Sequence, residues 1–129
     1  MIKVSSLILV KEKNMSKPVG PYTPAVHAGD FLIISGQIGH VDGILVKGGL
    51  DIEAPQALEN LKKLLEVEGV SLNQVVKTTV FLTDMDDYSQ MNEIYCSVFD
   101  EHRPARSAVA VAALPLGACI EIEAFVYKG

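Results

Sequence analysis

Arg106 stands where a proline-containing loop, Arg103-Pro104-Ala105, runs into the apolar stretch Ala108 to Ala112. A guanidinium at the mouth of a strand can grip a carboxylate through two parallel hydrogen bonds. A salt bridge to Asp100 or Glu101, or plain solvation on a loop, would account for the same charge. Glu121 and Glu123 alternate with Ile120, Ile122 and Ala124, so both carboxylates project from one face of a strand. Aimed into a cleft, one of them could hold a water or exchange a proton. On a solvent-facing strand they serve only solubility. Tyr22, held between Pro21 and Pro24, is placed either as a lid over a ligand or as packing under a loop. Ser35-Gly36-Gln37 closes an apolar strand; it either offers backbone N–H groups to an anion or forms a bulge. Asn92 falls inside a helix, away from its cap, where it could be a plain exposed position.

Other chemistries lack their residues. His27, His40 and His102 have no helix-face metal spacing, no Ser or Cys sits in a nucleophile elbow, and no glycine-rich phosphate loop occurs. No metal or cofactor is therefore expected. Cys96 and Cys119 share no metal-ligand spacing, and each lies in an apolar stretch, which predicts two buried free thiols and a reducing compartment. The net charge of −5, with 11 scattered basic residues, argues against a nucleic-acid partner. The apolar run Leu7 to Val10 is too short for a signal-peptide core or a membrane span, so a cytoplasmic protein is expected.

The elements that must position these residues follow from patterning. The 129 residues make one domain, with 1–14 as an additional edge strand and turn. Gly20 to Pro24 is rigid and non-helical. Ala25 to Ala28, the turn Gly29-Asp30 and Phe31 to Ile34 form a hairpin. Asp42-Gly43 makes a second turn before a short strand at Ile44 to Val46, and Gly48-Gly49 breaks the chain. A helix starts with Asp51 as N-cap and Pro55 in or just beyond the first turn, carries Leu58, Leu61, Leu64 and Leu65 inward, and stops at Gly69. Val75 to Leu82 reads as a strand. Asp84, Asp86 and Asp87 crowd the start of a second helix with the apolar stripe Tyr88, Met91, Tyr95, Val98 and Phe99. Ser107 to Ala112 and Cys119 to Tyr127 are the last strands. The order predicts an α+β sandwich, a mixed sheet with two helices on one face.

Several of these pieces together resemble the Rid (reactive intermediate deaminase) family, also known as YjgF or endoribonuclease L-PSP. The matching segments are Gly20-Pro21-Tyr22, Ile34 to Ile38, Leu58-Glu59-Asn60-Leu61, Val76 to Leu82, Met91 to Tyr95, Arg103 to Ser107, and Leu114-Pro115 with Ile120 to Ala124. They lie in family order across residues 18–127. The resemblance implies a chorismate-mutase-like fold assembled as a homotrimer with clefts between subunits. It implies that Arg106 binds a substrate carboxylate and Glu121 positions the attacking water, with Tyr22, Ser35, Gly36, Asn92 and Ala108 lining the cleft.

The implied reaction is hydrolysis of a small imine or enamine, such as 2-aminoacrylate or 2-iminobutanoate, to a 2-keto acid and ammonia. Such a substrate is already electrophilic, so positioning and a held water suffice. The chain departs from the family pattern at two places. Ala108 stands where many deaminating members carry cysteine, and Arg103 stands where an aromatic residue often precedes Pro-Ala-Arg. Other roles compatible with the resemblance are a non-catalytic binder of small carboxylates, a ribonuclease and a stress-related interaction protein.

Overall fold

The structure is a computed structural model and describes residues 20–129; the expected edge strand at residues 1–14 lies outside the described residues. Strands β1 (Ala25–Ala28) and β2 (Phe31–Gln37) form the expected hairpin through Gly29, whose φ of 60° needs glycine. A small second sheet pairs β3 (His40–Val41) with β4 (Ile44–Leu45). Both residues of its turn have positive φ, Asp42 at 52° and Gly43 at 81°, the backbone twist that a two-residue hairpin requires. Helix α1 (Leu50–Val67), strand β5 (Val75–Leu82), helix α2 (Tyr88–Phe99), strand β6 (Ala105–Ala110) and strand β7 (Ile120–Tyr127) complete the chain.

The main sheet runs β1-β2-β7-β5-β6, antiparallel except for the parallel β5–β6 pair. The expected α+β sandwich with a mixed sheet and two helices is thus observed. Leu32, Ile34, Val80, Leu82, Ile122, Ala124 and Val126 turn toward the helices and are buried. They pack with Leu58, Leu61 and Leu65 of α1 and Met91, Tyr95 and Phe99 of α2. The other face carries Phe31, Ile33, Phe125 and Tyr127, all exposed, paired across β2 and β7.

Three expectations need correction. The N-cap of α1 is Gly49, not Asp51: the Gly49 carbonyl accepts from the N–H groups of Ile52 and Glu53. Burial of Leu50 against the core draws the first turn two residues earlier, leaving Asp51 within it, where its charge still suits the helix dipole. Strand β6 spans Ala105–Ala110, because its parallel pairing with β5 already begins at Lys77 opposite Ala105. Arg106 is therefore inside a strand and not at its mouth. Both cysteines are free, but neither is fully buried: Cys96 is exposed on α2, since the buried stripe of that helix is Met91, Tyr95 and Phe99, and Cys119 is half-buried ahead of β7.

Candidate functional site

Strand parity divides the candidate residues into two groups. Glu121 sits opposite Phe81, and Glu123 opposite Thr79, on the sheet face away from the helices. Arg106 sits opposite Thr78, whose buried hydroxyl is hydrogen-bonded to Tyr95 of α2, and so belongs to the helix face. Ala108, opposite Val80, shares that face with Arg106.

The first group lines a cleft of about 330 Å³, formed by Tyr22, Ser35, Gly36, Ile38, His40, Pro115, Glu121 and Glu123. Between Ile34 and Gln37 the pairing of β2 with β7 shifts register, so Ser35-Gly36 is a bulge. The bulge brings backbone toward the Glu121 carboxyl. A Cβ on Gly36 would lie 2.6 Å from Glu121 Cδ, so only glycine leaves that carboxyl where it stands. Ser35 Oγ donates to the Thr23 carbonyl at 2.6 Å, and its N–H donates to Pro24 O at 2.9 Å. Ser35 thus fastens the Tyr22 loop to the strand while lining the cleft. Tyr22 itself is exposed at the cleft.

Burial raises the Glu121 carboxyl above the usual glutamate range, and the neighbouring Glu123 charge raises it further. Such a carboxylate is a better proton acceptor than an exposed one. His40 is pulled the other way: its buried ring is held below the usual histidine value, and Nδ1 accepts from the Gly43 N–H at 3.1 Å. It is a neutral structural partner of the β3–β4 turn.

The second group surrounds Arg106. Its guanidinium lies over the Tyr95 ring at 4.8 Å and the Tyr88 ring at 5.6 Å, and donates to Tyr88 Oη at 3.2 Å. Among the described residues it forms no ion pair with Asp100 or Glu101. The Tyr95 hydroxyl is fixed by Thr78 at 2.7 Å, so the ring beneath the guanidinium cannot wander. Asn92 carries a buried Oδ1 with no hydrogen-bond partner among the described residues, an unusual condition for a polar atom.

In the sequence Tyr88 and Tyr95 stand out only as members of an apolar stripe. Two tyrosines at i and i+7 on a helix preceding an arginine-bearing strand were the available signal. Ile38, His40 and Pro115 reach the cleft through tertiary packing that no local pattern announces.

The sequence pattern of the family described as endoribonuclease L-PSP matches residues 12–128, and the chain belongs to that family. A RutC family protein of Pyrococcus horikoshii is 50% identical over 119 residues, covering 90% of this chain and 94% of that protein. The 2-iminobutanoate/2-iminopropanoate deaminase of Mus musculus is 49% identical over 130 residues, covering 98% and 96%. Among solved structures, a putative endoribonuclease of Thermotoga maritima superposes with a TM-score of 0.89 at 46% identity, covering 95% and 98%. TdcF of E. coli, solved with bound serine, superposes at 0.88 with 33% identity, covering 95% and 99%.

Proposed function

We infer that this protein is an imine deaminase, hydrolysing 2-iminobutanoate- or 2-iminopropanoate-type intermediates to 2-keto acids and ammonia. The observation that carries the reading is the Glu121 carboxyl, half-buried in a cleft, raised in basicity and admitted there by the absent side chain of Gly36. A carboxylate of this kind takes a proton from water as the oxygen adds to the imine carbon. The carboxyl returns that proton to the nitrogen, giving a carbinolamine; its hydroxyl proton then passes to the nitrogen as the C=O bond forms and the C–N bond breaks, so ammonia leaves and the keto acid remains. The imine is electrophilic without further activation, so holding it against the water supplies most of the acceleration.

Arg106 supplies the substrate carboxylate clamp in this reading, with Tyr88 and Tyr95 fixing its plane. The serine bound to TdcF is an amino acid with such a carboxylate. Within one chain Arg106 and Glu121 lie on opposite faces of the sheet. A cleft served by both is therefore assembled from two chains, with Arg106 on one and Tyr22, Gly36 and Glu121 on the other. The homotrimer implied by the family resemblance provides such clefts, and the exposed apolar face of Phe31, Ile33, Phe125 and Tyr127 offers surface for it. Asn92 and Ala108 stand on the Arg106 side, and Ser35 on the Glu121 side. No helix among the described residues is long and apolar enough to cross a membrane, and the two unbridged thiols favour a cytoplasmic setting.

The test is keto-acid release from 2-aminoacrylate and 2-aminocrotonate, generated in place by a serine/threonine dehydratase. Wild-type protein accelerates release over the uncatalysed rate, and Arg106→Ala loses that acceleration by about 100-fold or more in kcat/KM, the scale of a charge-assisted clamp. Equal rates with and without folded wild-type protein would overturn the reading.

A further inference from the structure

Two segments that contribute to the Glu121 cleft are tied to the same face of α1. Glu53, 5% exposed, accepts a hydrogen bond from the Cys119 backbone N–H on Oε1 at 2.9 Å, just ahead of β7 and two residues before Glu121. The Cys119 thiol also faces this carboxylate; burial, and then Glu53, push it up to about 12, so it stays protonated. Seven residues along the helix, Asn60 Nδ2 donates to two carbonyls at once, Ile38 O and His40 O, both at 3.0 Å. Its Oδ1 accepts from Gln56 Nε2 at 2.9 Å, which fixes the amide orientation. Between the two tied carbonyls Gly39 lies flat on the helix, where a Cβ would come 2.5 Å from the Glu53 carbonyl oxygen. Ile38, His40 and Glu121 all line the cleft.

Residues at i and i+7 share a helix face, so one rigid element holds both the 38–40 segment and the start of β7. Neither Glu53 nor Asn60 lines the cleft. Glu53 is buried and Asn60 half-buried, and each ties α1 to backbone of another segment, where side-chain packing alone would leave the strand start and the 38–40 segment free to shift. We propose that Glu53 and Asn60 are positioning residues, a two-point clamp on α1 that holds Glu121 at the geometry its reaction needs. The proposal rests on reading this cleft as the deaminating site.

The experiment compares wild type, Glu53→Ala, Glu53→Gln and Asn60→Ala, each checked for a cooperative melt. Two readouts are taken: kcat and KM on the imine, and the titration of the Glu121 side chain followed by NMR. Glu53→Ala is expected to lower kcat about tenfold or more, the effect of a small misplacement, with KM changed by less than about twofold because Arg106 lies on the other sheet face. The Glu121 midpoint should fall toward the ordinary glutamate value as the strand start relaxes. The charge of Glu53 is not among the causes raising Glu121, so such a fall reports position. Glu53→Gln keeps an acceptor for the Cys119 N–H and should restore both readouts. Should Glu53→Ala not fold, Asn60→Ala decides, with the same two changes expected. Wild-type behaviour in the alanine variants, or Gln as impaired as Ala, would overturn the clamp. Absence of turnover in wild type would sink the deaminase reading alone, and the Glu121 titration would still decide the clamp.

Discussion

Glu121 and Glu123 are two residues apart on one strand face, and only one of them needs to act. Burial sets Glu121 above the usual glutamate range, and the Glu123 charge adds to the rise. A general base works only when ionised, so turnover should rise with pH through a midpoint above the ordinary glutamate value. Glu123→Gln removes the repulsion and leaves the burial. The acid limb of the pH–rate profile should then move to lower pH, with the plateau rate reduced because the base is weaker. A profile whose acid limb is unmoved in this variant would show that Glu121 is not the group titrating. The assignment of Glu121 and Arg106 as candidates was legible in the sequence, but their separation was not. It depends on the register of β6 against β5 and of β5 against β7, which places Arg106 opposite Thr78 and Glu121 opposite Phe81.

At the scale of elements, the bulge of β2 is what turns a regular strand into a cleft wall. Ser35-Gly36-Gln37 left two readings open, an anion-binding backbone turn or a bulge; the register shift between Ile34 and Gln37 decides for the bulge. Gly36→Ala would place a Cβ within 3 Å of Cδ, Cγ and Oε1 of Glu121. The Glu121 side chain is flexible at its far end, so the strain is relieved by moving the carboxyl, not by unfolding. We expect melting within a few degrees of wild type, about 1 kcal/mol or less for a domain this size, and kcat lowered about tenfold or more. A fully active Gly36→Ala would mean the carboxyl position is immaterial. The helices and the β1–β2 hairpin were readable because apolar period and turn residues both mark them. Strand β6 was misplaced by two residues: it is an edge strand with no buried residue, and nothing in Ala105-Arg106-Ser107 alternates. Its start is fixed by parallel pairing with β5, which is a tertiary fact.

For the whole molecule, the placement of Arg106 and Glu121 on opposite sheet faces has a consequence for how subunits share a site. Arg106→Ala and Glu121→Gln should each be inactive alone. If one site takes Arg106 from one chain and Glu121 from its neighbour, subunits of the two variants complement each other when mixed. In a ring of three with one cleft per interface, any mixed trimer contains one interface with both native residues. Random exchange at equal ratio makes about three-quarters of trimers mixed, so roughly a quarter of wild-type activity should return. The two proteins are unfolded together, refolded and assayed against each variant refolded alone, with size measured by light scattering. Sites built within single chains would give no recovery at any ratio, because every chain would still lack one of its two residues. A dimer with two symmetric sites would leave each heterodimer with one native site, and half of all dimers mixed, which again gives about a quarter. Recovered activity thus reports that the site is shared, while the measured mass separates three subunits from two.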